Sequence, residues 1–289
     1  MSAELSSSTD HIDAVAVVIP ARNEEDLVSR ALHAVRRAAR ETQAQRGAHA
    51  PRIEIILVAD DCQDATAQLA REVVGVQVLE ISSSSVGAAR AVGIERALAS
   101  LVINHGIDAE HIWIASTDAD SVVPPHWISD QLAVAEHGTD VLVGTVRPDF
   151  SDLTADQIEH WLATHSPGEA NGHVHGANLG VRASLYLAVG GFHAQREHED
   201  VDLVSRLAAA GARVCAADSG EVLTSGRLVG RTPGGYAGFL RSERSHTASG
   251  SSGSHNAMVS RAETDEGVGN PVSDSTGAEP ESDGSILVP

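Results

Sequence analysis

Residues 14–25 read AVAVVIPARNEE, and this stretch decides the fold class of the chain. Its first part, residues 14–19, is entirely apolar and rich in valine, and Pro20 and a polar turn follow it. A short, continuous apolar run with such an ending predicts a strand that is buried on both faces. Strands buried on both faces are typical of parallel sheets covered by helices.

The same alternation of apolar runs and amphipathic stretches continues along the chain. Further strands are predicted at residues 53–59, 76–81, 112–117 and 141–146. Helices are predicted at residues 24–40, 65–73, 86–101, 155–164, 183–189 and 200–210. Short strands separated by helices indicate βαβ units, so the sequence predicts a single α/β domain with a mostly parallel sheet. In such a sheet, ligands bind at the carboxyl ends of the strands.

The composition excludes several classes of protein. The 289 residues include 40 acidic side chains and 20 basic ones, all of them Arg, for a formal net charge of −20. We therefore expect no nucleic acid as a partner, because a nucleic-acid-binding surface is basic. Cys62 and Cys215 are the only cysteines, which excludes a disulfide scaffold. No apolar run approaches the roughly 20 residues of a membrane span, so we expect no transmembrane segment.

The two ends of the chain differ in composition from its middle. Residues 1–11 lack the basic and apolar segments of a secretory signal, and we interpret them as a flexible leader. Residues 245–289 are rich in Ser, Gly and acidic side chains, which predicts a disordered acidic tail. The folded domain is then predicted at residues 12–244 of a cytoplasmic protein, and this leaves peripheral association with a membrane open.

Polar residues that follow the first two predicted strands are the first candidate contacts with a ligand. After Pro20, Arg22 can contact a nucleotide; the alternative is a simple turn whose Asn23 caps the next helix. After the second strand, Asp60 can accept a hydrogen bond from an imide N–H such as that of uracil. The chain contains neither GxGxxG nor GxxxxGK[ST], which argues against a dinucleotide site and excludes a P-loop.

Two carboxylates follow the fourth predicted strand, in the segment STDADS at residues 116–121. Asp118 and Asp120 stand two positions apart in a tight turn, where both can face one site. Mg²⁺ and Mn²⁺ prefer oxygen ligands and bind through one or two carboxylates together with substrate phosphates. The pair therefore predicts a divalent-cation site that carries a diphosphate despite the acidic charge of the protein. An Asx turn that leads into the next helix is the alternative.

Two loops in the second half of the domain carry further candidates. His173 and His175 lie among small residues without a surrounding Cys/His framework. We interpret this loop as a surface loop or a wall that lines an acceptor, and a transition-metal site is the alternative. Arg227 and Arg231 stand four residues apart beside glycines. They can clamp a diphosphate through paired hydrogen bonds, or remain solvated on a loop.

The acidic pair Glu199 and Asp200 begins the last predicted helix. Acids at this position cap a helix or interact favourably with the positive end of its dipole. Either carboxylate can also act as a general base that removes a proton from an acceptor hydroxyl. The two interpretations are compatible with each other.

Taken in order, these segments resemble those of a family 2 glycosyltransferase with the GT-A fold. The matching segments, from about Val15 to Leu207, are VVIPARNEE, VADDCQDAT, VGAARAVG, STDADSVVPPHWI, HGANLGVRASLYLAVGGF and HEDVDLVSRL. The resemblance implies a metal-dependent, inverting transfer of a sugar from a UDP-, GDP- or dTDP-sugar to a hydroxyl acceptor. The Gln-Arg-Arg-Trp segment of processive members is absent, which favours transfer of single sugars.

The resemblance also implies roles for single residues. It implies that Asp200, beside Glu199, is the catalytic base, and that Asp118 and Asp120 hold Mn²⁺ or Mg²⁺. The residues predicted to bind the donor are Pro20, Arg22, Glu24, Asp60, Arg90, Asp118 and Arg231. Cys62 replaces the Gly-Ser of many relatives. A non-catalytic sugar-nucleotide-binding protein and a sugar-1-phosphate nucleotidyltransferase are the alternatives; the latter normally needs a Gly-rich loop, which is absent after the first strand.

Overall fold

The computed structural model describes residues 11–166, 170, 173–227 and 230. The predicted leader, apart from His11, and the predicted acidic tail lie outside the described residues. The strands of the described residues are β1 (Ala14–Ala21), β2 (Arg52–Asp60), β3 (Gln77–Ile81), β4 (Ile112–Ser116), β5 (Ser121–Val122), β6 (Val141–Pro148), β7 (Leu179–Arg182) and β8 (Val214–Thr224).

Helices separate most of these strands along the chain. They are α1 (Val28–Arg46), α2 (Thr66–Glu72), α3 (Val86–Leu98), α4 (Trp127–Glu136), α5 (Ala155–Thr164), α6 (Ala183–Ala188) and α7 (Glu199–Ala209). A π-helical segment, Ala99–Asn104, continues α3 beyond its last α-helical residue. Among the described residues, no helix has both the length and the apolar character needed to cross a membrane.

The strands that the structure describes form one sheet in the order β3-β2-β1-β4-β7-β6-β8-β5. The four strands β3, β2, β1 and β4 are parallel to one another, and β6 is parallel to β8. β7 pairs antiparallel with both β4 and β6 and so joins the two parallel parts. The predicted α/β domain with a mostly parallel sheet is confirmed.

The first strand, β1, is buried along its whole length. Val15 and Val17 belong to the apolar cluster that α1 covers, whereas Ala16 and Val18 belong to the cluster on the α3 side of the sheet. A β-carbon on Gly93 would lie 2.5 Å from a methyl carbon of Val18, so this glycine lets α3 pack closely against β1. Burial of each valine contributes roughly 1.5–3 kcal/mol, which explains why an unbroken apolar run forms this strand.

Pro20 does not end the first strand, as the sequence predicted, because β1 continues to Ala21. The carbonyl oxygen of Val18 accepts a hydrogen bond from the backbone N–H of Thr117, on the β4 side. Pro20 lies two residues further and directs its nitrogen to the same side, past the last residue of β4 that pairs with β1. No ladder hydrogen bond is lost there, so the strand tolerates proline.

Asn23 does not cap the first helix, which begins at Val28 and not at the predicted residue 24. Its backbone has a φ of 54°, in the left-handed region. Its Oδ1 accepts a hydrogen bond of 2.7 Å from the backbone N–H of Gln63 in the loop after β2. Asn23 therefore joins the loops that follow the first two strands instead of starting α1.

Candidate active site

The loops that follow β1, β2 and β4 lie at one edge of the sheet, because these adjacent strands are parallel. Three acidic residues that the sequence singled out, Glu24, Asp60 and Asp118, stand on these loops or at their start. Arg90 from α3 and Arg227 from the segment after β8 reach the acidic side chains at the same edge. The site therefore combines the first half of the domain with residues near the end of the described chain.

Asp60, the last residue of β2, is 3% exposed and is engaged by the loop that precedes α3. Its Oδ1 accepts hydrogen bonds from the backbone N–H groups of Ser83 and Ser84, at 2.7 and 3.0 Å. Its Oδ2 accepts from the Ser85 N–H at 2.8 Å and from the Ser83 hydroxyl at 2.9 Å. Burial raises the pKa of Asp60, but these hydrogen bonds outweigh it and hold the pKa below its ordinary value.

These bonds occupy about as many acceptor positions as a carboxylate has. The geometry therefore assigns Asp60 to ordering the loop, and its predicted contact with a base stays a prediction. The next residue, Asp61, is more exposed and has a φ of 55°. Its Oδ2 accepts from Arg22 Nη2 at 3.0 Å and from the Ser84 hydroxyl at 2.9 Å. Sequence analysis missed Asp61, for which the Asp doublet was the only signal.

Arg90 lies at the buried centre of the site, with 2% of its surface exposed. Its Nη2 donates to Asp118 Oδ1 at 2.6 Å, and its Nε donates to Glu199 Oε1 at 3.1 Å. Burial would lower the pKa of Arg90, but the carboxylates of Asp118 and Glu199 raise it above its ordinary value. This geometry supports a positioning role for Arg90, whose predicted contact with a nucleotide stays a prediction.

A second acidic group surrounds Asp120. The pKa of Asp120 is raised to about 7: burial is the largest cause, Asp118 and Glu24 add to it, and Arg227 opposes it. Arg227 Nη2 lies 2.9 Å from Asp120 Oδ2. The same guanidinium donates to both carboxylate oxygens of the buried Glu24, each at 2.6 Å. Glu24 was predicted to bind the donor, and in this structure it is an ion-pair partner of Arg227.

The pair Asp118 and Asp120 fits a divalent cation. Burial contributes most to the raised pKa of Asp120, and the carboxylates of Asp118 and Glu24 add to it, so an added positive charge would favour its ionised form. Among the residues that the structure describes, no group of three or more His, Cys, Asp and Glu side chains could hold a metal. Two carboxylates whose remaining partners come from substrate phosphates and water match the way proteins bind Mg²⁺.

Asp200 lies in the first turn of α7 and does not cap this helix, whose preceding residue is His198. Its Oδ2 accepts a hydrogen bond of 2.7 Å from the backbone N–H of Gly176, in the loop before β7. A β-carbon on Gly176 would collide with the guanidinium of Arg90, so only glycine lets this loop approach both residues. Asp200 therefore stands beside the Arg90 network with a fixed carboxylate.

The structure separates the roles of the two adjacent acids at the start of α7. Glu199 is buried against Arg90, whereas Asp200 is partly exposed. Burial raises the pKa of Glu199, and the charge of Arg90 opposes this increase. A buried carboxylate paired with a buried guanidinium is suited to holding the site together, and the exposed one is suited to meeting an acceptor.

His173 and His175 lie next to this loop, with ring centroids 6.3 Å apart. Burial, with a smaller effect of His173, lowers the pKa of His175 to about 4, so this imidazole is neutral at pH 7. A neutral, partly buried ring is consistent with a wall that lines an acceptor. Arg231, the other predicted clamp for the diphosphate, lies outside the described residues.

Two solved structures share this fold. The mannosyltransferase PcManGT from Pyrobaculum calidifontis, in complex with GDP-Man and Mn²⁺, matches this chain with a TM-score of 0.51 and 18% identity. The match covers 74% of this chain and 57% of the PcManGT chain. TarS 1–349 from S. aureus matches with a TM-score of 0.50 and 15% identity, over 75% of this chain and 61% of the TarS chain. This chain thus spans about six-tenths of both structures. At such identities the likeness shows the fold alone, which is the predicted GT-A fold.

The family follows from the sequence itself. The family model for glycosyl transferase family 2 matches residues 16–184, which is more than half of the chain. The chain therefore belongs to glycosyl transferase family 2, and the resemblance described above is confirmed. No curated protein matches the chain at a significant level.

Proposed function

We infer that this chain transfers a single sugar from a nucleoside-diphosphate sugar to a hydroxyl acceptor, with inversion at the anomeric carbon and with the help of a divalent cation. One observation carries this proposal: buried Arg90 joins Asp118 to Glu199, the neighbour of Asp200. The Arg90 network thereby links Asp118, a candidate residue of the donor site, to Glu199, which is adjacent to the candidate base Asp200. The fold that the chain shares with a mannosyltransferase bound to GDP-Man and Mn²⁺ supports the same reading.

The donor half of the reaction rests on the loops after β1, β2 and β4. Asp118 and Asp120 would hold Mn²⁺ or Mg²⁺, and the bound ion would neutralise charge on the leaving diphosphate. Arg22 and Asp61, which pair at the exposed rim, are suited to the nucleoside. Because several bases have hydrogen-bonding groups that such a rim can contact, we propose a UDP-, GDP- or dTDP-sugar as the donor.

The acceptor half rests on Asp200. The N–H of Gly176 holds one of its oxygens at 2.7 Å, which fixes the orientation of the carboxylate. In the proposed step, Asp200 takes the proton of the acceptor hydroxyl while the oxygen of that hydroxyl bonds to the anomeric carbon. The bond from that carbon to the diphosphate oxygen breaks, and the electron pair leaves with the nucleoside diphosphate. A base positioned in this way typically accelerates a reaction by about 10²–10⁴-fold.

A nucleotide panel followed by a turnover assay tests the proposal. We expect UDP, GDP or dTDP, but not ADP, to raise the melting temperature of the full chain, and the increase to require Mn²⁺. A ligand at 100 times its Kd stabilises a protein by about 2.7 kcal/mol, which is readily measured. The corresponding nucleotide sugar should then be consumed. Metal-dependent binding without consumption of any donor would instead favour the non-catalytic sugar-nucleotide-binding protein.

The variant Asp200→Asn isolates the proposed base. We expect it to keep the affinity for the nucleotide and to lower kcat at least about 100-fold, because only proton removal is lost. Val201→Ala, next to it on the same half-buried turn, is the control and should retain kcat within about threefold, because the valine side chain carries no group that can take a proton. Near-normal turnover of Asp200→Asn would refute the assignment of the base.

A further inference from the structure

The guanidinium of Arg227 joins two acidic residues of the donor site. Its two terminal nitrogens donate to the two carboxylate oxygens of Glu24, each at 2.6 Å. One of these nitrogens, Nη2, is also 2.9 Å from Asp120 Oδ2. Asp120 is one of the two carboxylates that fit a divalent cation, so Arg227 lies against an oxygen that the cation would use.

The backbone holds Arg227 in this place. The carbonyl oxygen of Thr224, the last residue of β8, accepts a hydrogen bond of 2.7 Å from the N–H of Asp149. The N–H of Gly226 donates to Asp152 Oδ2 at 2.9 Å. A β-carbon on Gly226 would lie 2.8 Å from the carbonyl oxygen of Asp149, so the close approach of the two segments requires glycine. These hydrogen bonds hold residues 224–226 in place, and this position brings the side chain of Arg227 to the acidic residues.

The acidic residues of the donor site explain why a positively charged side chain lies beside Asp120 before any ligand binds. Glu24 and Asp120 share the guanidinium of Arg227, and Arg90 is already committed to Asp118 and Glu199. Arg227 supplies the positive charge next to Asp120. A divalent ion at the same oxygen would face the guanidinium at short range, where like charges repel in a partly buried site.

We propose that Arg227 is an internal counter-cation of Asp120 and Glu24, which competes with the divalent ion for Asp120 and turns to the donor diphosphate once the ion is bound. The inference rests on the proposed function, because it takes a nucleoside diphosphate and a cation as the ligands. Arginine suits both states, since its planar guanidinium pairs with carboxylate and with phosphate through parallel hydrogen bonds. A single residue then couples the cation to the nucleotide.

Binding of Mn²⁺ alone to the full chain is the first test, measured by electron paramagnetic resonance of the free ion. We expect Arg227→Gln to bind Mn²⁺ about tenfold more tightly than the wild type, because a competing unit charge is removed. Arg227→Lys keeps the charge and should remain within about threefold of the wild type. A residue that only stabilised the fold would weaken Mn²⁺ binding when replaced.

Binding of UDP and GDP in saturating Mn²⁺ is the second test, measured by calorimetry. Here Arg227→Gln should bind the preferred nucleotide at least about tenfold more weakly, because a bidentate contact with the diphosphate is lost. The two effects have opposite signs, which a general loss of structure cannot produce. The melting temperature of each variant, measured without ligand, verifies that it is folded.

Arg46→Gln is the matched control. Arg46 also forms a bidentate ion pair, with Glu136 at 2.7 and 2.9 Å, and its side chain is 22% exposed against 26% for Arg227. It is the last residue of the 19-residue helix α1, which places it about 28 Å from the end of the helix near Glu24. Its charge is screened at this distance, so both affinities should change less than about twofold.

The outcomes separate the two proposals. If Arg227→Gln leaves Mn²⁺ affinity unchanged or weakens it, the counter-cation role is wrong, even when the wild type binds nucleotide with Mn²⁺. If the wild type binds Mn²⁺ with a nucleotide and Asp120→Asn does not, the proposed function is supported regardless of Arg227. If the wild type binds neither Mn²⁺ nor any nucleotide, the proposed function fails, and the inference about Arg227 fails with it.

Discussion

Asp60 and Asp120 both lie at the end of the sheet where the parallel strands β2 and β4 finish. Their surroundings shift their pKa values in opposite directions. Hydrogen bonds from the loop before α3 engage Asp60 and hold its pKa below the ordinary value. Burial and the charge of Asp118 raise the pKa of Asp120 to about 7. The protein stabilises the charge of the first carboxylate itself and leaves that of the second only partly compensated.

This difference distinguishes a structural aspartate from one that is suited to a ligand. A fully hydrogen-bonded carboxylate contributes to folding and has little left to offer a cation. A carboxylate that is buried beside other acids is costly unless positive charge lies next to it, and such groups cluster at functional sites. Replacing each aspartate in turn should therefore affect different properties of the protein.

The largest effect is expected for Asp120→Ala. We expect it to abolish the dependence of nucleotide binding on Mn²⁺ and to lower donor turnover at least about 1000-fold, because ligand loss removes the charge stabilisation of the leaving group. The variant should stay folded, since it removes an acid from a crowded group. Calorimetry of UDP and GDP with and without Mn²⁺ measures the first effect, and an unchanged Mn²⁺ effect would exclude Asp120 as a ligand.

The network around Arg90 should respond next, and in stability. Arg90→Met leaves Asp118 and Glu199 without their buried partner, so we expect the free energy of unfolding to fall by about 3–5 kcal/mol. The double variant with Glu199→Gln should recover part of this loss, because it removes one of the stranded charges. Urea unfolding measures both. No recovery in the double variant would show that Arg90 stabilises the fold by packing alone.

Asp60→Asn should lower stability and leave the response to Mn²⁺ intact. We expect a loss of about 2 kcal/mol at pH 7, because an amide replaces a charged acceptor of several hydrogen bonds. The pKa of Asp60 is lower in the folded chain than its ordinary value of 3.8, so its stabilisation is complete above that pH. It is lost as the pH falls through the folded-state pKa, and the two proteins should then converge.

Urea unfolding of wild type and Asp60→Asn at several pH values measures this difference. A constant gap down to pH 3 would contradict the prediction, because it would mean that the ionised carboxylate is not what the loop stabilises. Asp13→Asn is a suitable control, since Asp13 is exposed at the amino end of β1 and belongs to the opposite edge of the sheet.

The sequence predicted the half of the fold whose signal is local. The apolar run of β1 and the acidic pair of residues 118 and 120 are both readable, because buried parallel strands need unbroken apolar runs and their ends carry the loops. β7 and β8 were not predicted. β7 has four residues, and β8, with the sequence VCAADSGEVLT, has no sustained apolar alternation.

The contacts of the site were less predictable than its residues. Glu24 and Arg227 are 203 positions apart, and their ion pair depends on β8, which the sequence pattern did not predict. Arg90 was selected through the family resemblance, but only the packing of α3 shows that it is buried between two acids. Pairings over such distances depend on tertiary structure, which no periodicity encodes.

The smallest effect is expected at the rim, for Arg22→Gln. Its ion pair with Asp61 is 41% exposed on the arginine side, and exposed pairs contribute about 0–1 kcal/mol, so stability should hardly change. Affinity for the preferred nucleotide should fall about threefold, because a solvated contact with the nucleoside is lost. Arg52→Gln, at the start of β2 and 51% exposed, removes the same charge from the opposite edge and should leave this affinity unchanged. Equal changes in both variants would mean that overall charge, and not a contact at the rim, sets the affinity, and the role proposed for the Arg22–Asp61 pair would then be wrong.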